Sequence, residues 1–258
     1  MNAAVATLSK SRYAPAALGV LSFVVALLLI ELLIRVNVIN RFIVPMPSDV
    51  IAAFPRVIVE EDVLHRFVLT ASEAFSACIL VTLFGVAGGV LLYRYHVLRL
   101  ATETWVAAVA AAPLVLMYPL YLVIFGRSAL TIVMMGFTAG LAPIILKTLE
   151  GLAGTRRVLI NVGKSFNLTP SQQFWKIMFP AALPTIFVGL RLGLIFSLIN
   201  IVGVEFLINF GGLGQLINEL AERYDLPGTY AAICFVILIS VLVFVLMERL
   251  ERWLRPTD

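Results

Sequence analysis

At 258 residues, 61% hydrophobic and 13% charged, with a mean hydropathy of +1.03, the chain lies outside the range of soluble globular domains. Its formal charge of +4 calls for no nucleic acid, because basic groups placed beside anionic lipid headgroups account for it. The two cysteines, Cys78 and Cys234, fall inside apolar stretches and read as small core residues rather than a disulfide or a metal site.

Six apolar stretches reach the ~20 residues an α-helix needs to cross a bilayer. They cover about 15–36, 67–93, 104–125, 129–149, 185–208 and 229–247. Only helices or closed barrels span lipid, and these runs are too long and too uniformly apolar for barrel strands. The fold class is all-α polytopic, with six transmembrane helices in a single domain over 1–258.

Lys10 and Arg12 precede the first span, whose apolar run exceeds the ~7–15 residues of a signal-peptide core, so it reads as a retained helix. Glu31 and Arg35, four apart with the acid first, form a same-face pair near its end. In the second span, Glu73 stands near enough to the outer end to reach the headgroups, a structural role. Gly85 and Gly89, Gly136 and Gly140, and Gly189 and Gly193 each put two glycines on one helix face, which lets backbones approach closely. Pro113, Pro119 and Pro143 each remove an amide donor and are expected to bend the third and fourth helices. The fifth span carries Arg191, Asn200 and Glu205. A carboxylate inside lipid costs roughly 2.5–3.5 kcal/mol, so Glu205 is expected to face a cavity or a partner. Arg191 either lines a path or snorkels to the inner headgroups. His65 and His96 sit at helix ends as interfacial residues, and no nucleophile–base set appears.

With both termini in the cytoplasm, twelve of the nineteen basic residues face inward: Lys10, Arg12, Arg94, Arg99, Lys147, Arg156, Arg157, Lys164, Lys176, Arg249, Arg252 and Arg255. Six face outward (Arg35, Arg41, Arg56, Arg66, Arg127 and Arg223), and Arg191 lies within a span. This two-to-one bias follows the positive-inside rule.

The fourth and fifth spans are separated by a long polar interval, 150–184, which the charge bias puts in the cytoplasm. Thr169-Pro170-Ser171-Gln172 is a helix start: Thr169 as cap, Pro170 in the first position and Gln172 closing a capping box. Phe174, Ile177 and Met178 then share a face, and Pro180 and Pro184 are expected to re-aim the chain into the fifth span. Residues 156–166 read as another short helix, ended by Asn167 in the left-handed region. The expectation is two short helices at an angle.

Here the chain resembles the inner-membrane permease subunits of ATP-binding-cassette importers, in the branch that handles nitrate, sulfonates and taurine. Their cytoplasmic motif, Glu-Ala-Ala, then Gly, then Ile-x-Leu-Pro, falls on Asn161-Val162-Gly163, Asn167 and Ile177-Met178-Phe179-Pro180. Ala181-Ala182-Leu183-Pro184 and Gly189-Leu190-Arg191 continue the match. So do Pro45-x-Pro47-Ser48, Phe125-Gly126 and Gly212-Leu213-Gly214, so that the resemblance spans roughly 43–225. Asn161 stands where the motif has its acid, and Asn167 where it has glycine.

The resemblance implies the type I importer (MetI-like) permease fold. It also implies a second permease copy, most simply in a homodimer, two cytoplasmic ATPase subunits and a periplasmic or extracellular solute-binding protein, in a bacterial inner membrane. It assigns ATPase coupling to Asn161, Val162, Gly163, Lys164, Ser165, Phe166, Asn167, Leu168, Ile177 and Pro180. Arg191, Asn200 and Glu205 are the candidate path or gate residues. The chain has no G-x-x-x-x-G-K-[ST] loop, so ATP and magnesium are expected on the partner ATPases and no cofactor on this chain. The solute implied is a small anion such as a sulfonate or nitrate. An ion-gradient-driven carrier using Glu73 and Glu205 is the alternative.

Overall fold

A computed structural model of the protein describes residues 14–254, so that Lys10, Arg12 and Arg255 of the charge count fall outside the described residues. The described chain is helical, without a strand. In order the helices are α1 (Ala14–Arg35), α2 (Pro47–Glu60), α3 (Val63–Arg94), α4 (His96–Ala111) and α5 (Tyr118–Phe125). There follow α6 (Ala129–Ala153), α7 (Arg157–Ser165), α8 (Pro170–Gln173), α9 (Phe179–Ile208), α10 (Gly212–Glu222) and α11 (Leu226–Leu254).

Five helical runs are long and apolar enough to cross a membrane, and a bent pair makes a sixth. That pair corrects the third expected span. Residues 104–125 are not one helix: α4 ends at Ala111, a 3-10 turn follows at Leu114–Met117, and the two arms meet at 92°. The cause is Pro113, which lacks an amide donor and forces Ala112 into extended backbone at φ −75°, ψ 142°. Pro119 sits harmlessly in the first turn of α5, and Pro143 lies inside the unbroken α6.

A second correction concerns Pro180 and Pro184, which do not re-aim the chain. Helix runs continuously from Pro170 to Ile208. Phe174–Met178 forms a π turn just before Pro180, and this wider turn takes up the donor that proline lacks.

The described residues divide into two compact units. The first holds the residues up to Asp62 together with Glu219–Cys234. Within it, α1 leaves nearly all its large apolar side chains bare, as a lipid-facing helix must, and buries Ile34. Glu31 and Arg35 pair at 2.6 Å as their spacing implied. The amphipathic α2 buries Ala53 and Val57, while Arg56 pairs with Asp225 at 2.5 Å and Arg223 with Glu61 at 2.8 Å.

The second unit, Val63–Asn218 with the chain from Phe235 onward, is built around α6. Helix α3 meets α6 where Gly85 faces Ile144 and Gly89 faces Thr148. Helix α9 meets it where Gly136 faces Ile201, Gly140 faces Ser197, and Gly193 faces Ile144. A Cβ at Gly85, Gly136 or Gly193 would lie 2.7 Å from its facing isoleucine, and one at Gly193 would also lie 2.8 Å from the Gly140 carbonyl oxygen. Ser197 Oγ uses the close approach to donate to the Gly136 carbonyl at 2.7 Å. Lipid tails are as apolar as leucine, so this packing, and not a hydrophobic drive, holds the helices together. Gly193→Val is therefore expected to cost about 1–3 kcal/mol, read as a lower thermal midpoint of the detergent-solubilised permease. Gly19→Val in α1, where a Cβ meets nothing within 4 Å, is expected to leave that midpoint unchanged.

Candidate coupling surface and buried carboxylate pair

The interval between α6 and α9 forms two short helices whose junction is specified on both sides. Helix α7 closes in a Schellman turn: Leu168 N–H donates to Gly163 at 3.0 Å and Asn167 N–H to Lys164 at 2.9 Å. Asn167 carries the left-handed backbone this needs, φ 52°, so it does at this position what the motif's glycine does. Helix α8 opens with the expected capping box: Thr169 N–H donates to Gln172 Oε1 at 3.0 Å, and Gln172 N–H to Thr169 Oγ1 at 3.3 Å.

The two helices are joined side to side. Gly163 is buried, and a Cβ there would lie 2.7 Å from Ile177 Cδ1. Gln173 Nε2 donates to the Ile160 carbonyl at 3.0 Å. Met178 is buried and Phe174 and Ile177 half-buried, so the face inferred from their spacing is the packed one. The opposite side of α7 is bare: Val158 is 72% and Phe166 76% exposed, with Val162 between them. At spacings of four these three share one stripe. Asn161, Lys164, Ser165 and Asn167 are exposed around it, Pro180 is also exposed, and Leu168 is half-buried.

At the other end of α9, Glu205 is wholly buried. Thr70 Oγ1 of α3 donates to its Oε1 at 2.7 Å, and Gly214 N–H of α10 to its Oε2 at 2.8 Å. Leu213 N–H donates in turn to Thr70 Oγ1 at 2.9 Å. The carboxylate thus accepts at the amino end of α10, where unpaired amides and the helix dipole favour negative charge. Gly212, φ 79°, and Gly214 are both required, since a Cβ at either would strike Glu205.

Glu73 departs from its expected place. It does not reach toward headgroups but is buried, and no donor reaches its buried Oε2. One helical turn beyond Thr70, it shares the buried stripe Thr70, Glu73 and Ala77 of α3. Arg191 pairs with Glu251 of α11, Nη1 to Oε2 at 3.0 Å, and its guanidinium lies 5.2 Å from the Phe244 ring centre. Asn200 is buried and donates to the Phe196 carbonyl at 2.9 Å. Arg191, Asn200 and Glu205 therefore do not converge on one cavity. Both cysteines are free thiols, and the described residues hold no cluster of metal ligands.

Helix α10 was not anticipated from the Gly-rich loop at its start. Its signal was present in Leu213, Leu216 and Leu220, which are spaced as a helix face and all buried.

Residues 79–256 match the family described as binding-protein-dependent transport system inner membrane component. The taurine transport system permease protein TauC of Escherichia coli is 23% identical over 225 residues, 85% of this chain and 82% of that protein. The nitrate import permease protein NrtB of Synechocystis is 27% identical over 184 residues, 71% of this chain and 66% of that one. Among solved structures, an inward-facing conformation of the MetNI methionine ABC transporter has a TM-score of 0.66 at 18% identity, covering 75% of this chain and 96% of that chain. The fold is therefore that of a type I, MetI-like importer permease. This chain belongs to the binding-protein-dependent inner-membrane permeases, within the nitrate, sulfonate and taurine branch, and is a multi-span membrane subunit of an ATP-binding-cassette importer of small solutes.

Proposed function

We propose that the protein forms the solute path of an importer for a small anion, of the sulfonate or nitrate kind, with α7 as the helix through which cytoplasmic ATPase subunits drive it. The taurine and nitrate functions named for its relatives support the solute class. The observation that carries the coupling role is the bare apolar stripe Val158, Val162 and Phe166 on a helix closed by a Schellman turn and tied to α8. Such a stripe in a basic, cytoplasm-side interval suits a protein partner: apolar anchors at the centre, with Asn161, Lys164, Ser165 and Asn167 as its polar rim. The ATPases carry ATP and magnesium. A second permease copy completes the path, and an external binding protein delivers the solute. Both termini lie in the cytoplasm, in keeping with the two-to-one inward bias of basic residues.

Closure of the ATPases on ATP draws the α7 helices together and rocks the bundle outward, and hydrolysis reverses it. The ATPases must bind the two permease states with different affinity, since equal affinity shifts nothing. Because helix is unbroken from Pro170 to Ile208, displacement at α8 passes directly to α9. At the far end of α9, Glu205 acts as a gate element by holding α10, not by touching solute. Glu205 is engaged with Thr70 and with the Gly214 amide of α10, and Glu73 is buried on α3, so neither acid is exposed as the site of an ion-gradient carrier.

In proteoliposomes containing permease, ATPase and binding protein, Phe166→Ala and Asn167→Pro are expected to insert normally yet lose at least about tenfold of transport-coupled ATP hydrolysis, the loss of ~1.4 kcal/mol or more that a central interface anchor supplies. Uptake and solute-stimulated hydrolysis at wild-type levels in both variants would remove α7 from the coupling role. Glu205→Gln presents an amide donor to Gly214 N–H or to Thr70 and so loses one acceptor. It is expected to assemble normally and slow uptake by about tenfold, and uptake at the wild-type rate would leave Glu205 outside the gate.

A further inference from the structure

Helices α3 and α9 both pack on α6, and between them a groove stays open toward the α8 end. Two adjoining cavities of about 600 and 630 Å³ make it up, and they share Val90, Arg94 and Trp175 as walls. The deeper part is apolar: Val86 and Ala87 of α3 and Leu183, Phe187 and Leu190 of α9 line it. Thr82, at the far end, is its one polar residue away from the mouth. The mouth is different. Arg94, in the last turn of α3, stands there with the Trp175 indole and the hydroxyl groups of Tyr93, Thr169 and Ser171. Arg94 is exposed, is the one charged residue on the walls, and has no ion pair among the described residues. Trp175 is 61% exposed, yet its ring is held edge-on by Phe174, 5.1 Å between centres.

The groove has the depth of one leaflet. From Arg94 to Thr82 the α3 wall rises about 18 Å at ~1.5 Å per residue, and half of a ~30 Å hydrocarbon core is about 15 Å. An acyl chain laid along it runs from the mouth to the middle of the membrane and leaves its headgroup beside Arg94. Tryptophan favours that level of the bilayer, with its ring in the apolar region and its N–H at the polar edge. An unmatched guanidinium there selects an anionic headgroup, whose phosphate oxygens accept its paired N–H groups. Residues 1–13 are a poor rival for the mouth, because they carry Lys10 and Arg12 and no acid and would bring like charge to Arg94. We infer that the groove binds one anionic phospholipid, with an acyl chain between α3 and α9 and the phosphate against Arg94 and the Trp175 indole. The lipid ties the end of α3 to the start of the helix that runs unbroken from Pro170 to Ile208. This inference goes beyond the importer reading and needs only that the chain lies in a membrane.

The test uses the full-length permease with Trp105 and Trp253 replaced by phenylalanine, so that Trp175 is the one remaining tryptophan. It is placed in phosphatidylcholine nanodiscs containing a rising fraction of phosphatidylglycerol, or of phosphatidylcholine, brominated on the acyl chains. Bromine quenches an indole on contact. Brominated phosphatidylglycerol is expected to quench Trp175 at a lower fraction than brominated phosphatidylcholine does. Arg94→Gln is expected to reduce that preference about fivefold, the effect of one basic group at an anionic surface, and Arg94→Lys to keep most of it. Lys176→Gln, which removes a neighbouring exposed charge that is not on the groove wall, is expected to leave the preference intact. Ala87→Phe fills the apolar part and is expected to weaken quenching by the anionic lipid. Equal quenching by the two lipids overturns the inference, as does a preference untouched by Arg94→Gln. Equal loss in Lys176→Gln would mean diffuse surface attraction, and displacement of the brominated lipid by inorganic phosphate would mean an anion site without a lipid. Unchanged quenching in Ala87→Phe would place the chain outside the groove. Each of these three results also overturns it. No solute or ATPase is present, so the outcome is independent of whether the importer assignment holds.

Discussion

The structure depends on how near α6 can come to its two neighbours. In lipid an apolar side chain gains nothing by leaving the tails for a helix partner, so association depends on packing and on hydrogen bonds. Gly85 and Gly89 on one side, and Gly136, Gly140 and Gly193 on the other, remove the side chains that would hold the backbones apart. What fills the space is specific: Ile144 lies against glycines of both α3 and α9, and Ser197 reaches a carbonyl of α6. With α3 and α9 fixed against the same helix, residues 135 positions apart in sequence, Thr70 and Glu205, come within hydrogen-bonding distance.

Close packing of a different kind holds the α7–α8 pair together. Their junction is satisfied locally, by a left-handed asparagine at one helix end and a capping box at the next helix start. The pair is then locked by Gly163 against Ile177 and by the Gln173 side chain on the Ile160 carbonyl. A loop lying on the membrane surface would not need this. The exposed stripe at Val158, Val162 and Phe166 is thus presented on a rigid support, which lowers the ordering cost of binding a partner there.

How much of this the sequence disclosed follows from the range of each interaction. The spans, the two short helices between α6 and α9, Asn167 and the Thr169–Gln172 box depend on neighbours within about one or two helical turns, so their residues announce them. The glycine pairs were legible as sticky faces, although nothing local names Ile144 as the shared partner. Proline was legible in part: the bend at Pro113 was expected, and the unbroken helix through Pro180 was not. Its missing donor is certain, but whether the chain breaks, as at Pro113, or absorbs the loss in a π turn, as before Pro180, depends on the flanking backbone. Glu73 was misplaced for a different reason. Its helix position allowed it to snorkel outward or turn inward, and what decides is the packing of α6 and α9 against α3, which is not local in sequence.

That dependence also gives meaning to the segment after α9. A helix whose first residues are buried, as Gly212, Leu213 and Gly214 are, has free amides and no water to receive them. Gly211 and Gly212 carry no side-chain acceptor to cap α10. The acceptor is borrowed from the preceding helix: Asn209, φ 55°, and Gly211 and Gly212 at φ 86° and 79° turn the chain back, so that Gly214 N–H lies over the Glu205 carboxylate. The acid then makes the glycines obligatory, because the volume a Cβ would take at Gly212 or Gly214 is already occupied by the Glu205 side chain. Gly212-Leu213-Gly214 and Glu205 are one device, with Leu213 buried beside its amide's partner Thr70. A substitution in the turn and one at the acid should therefore fail in the same way, by releasing the amino end of α10.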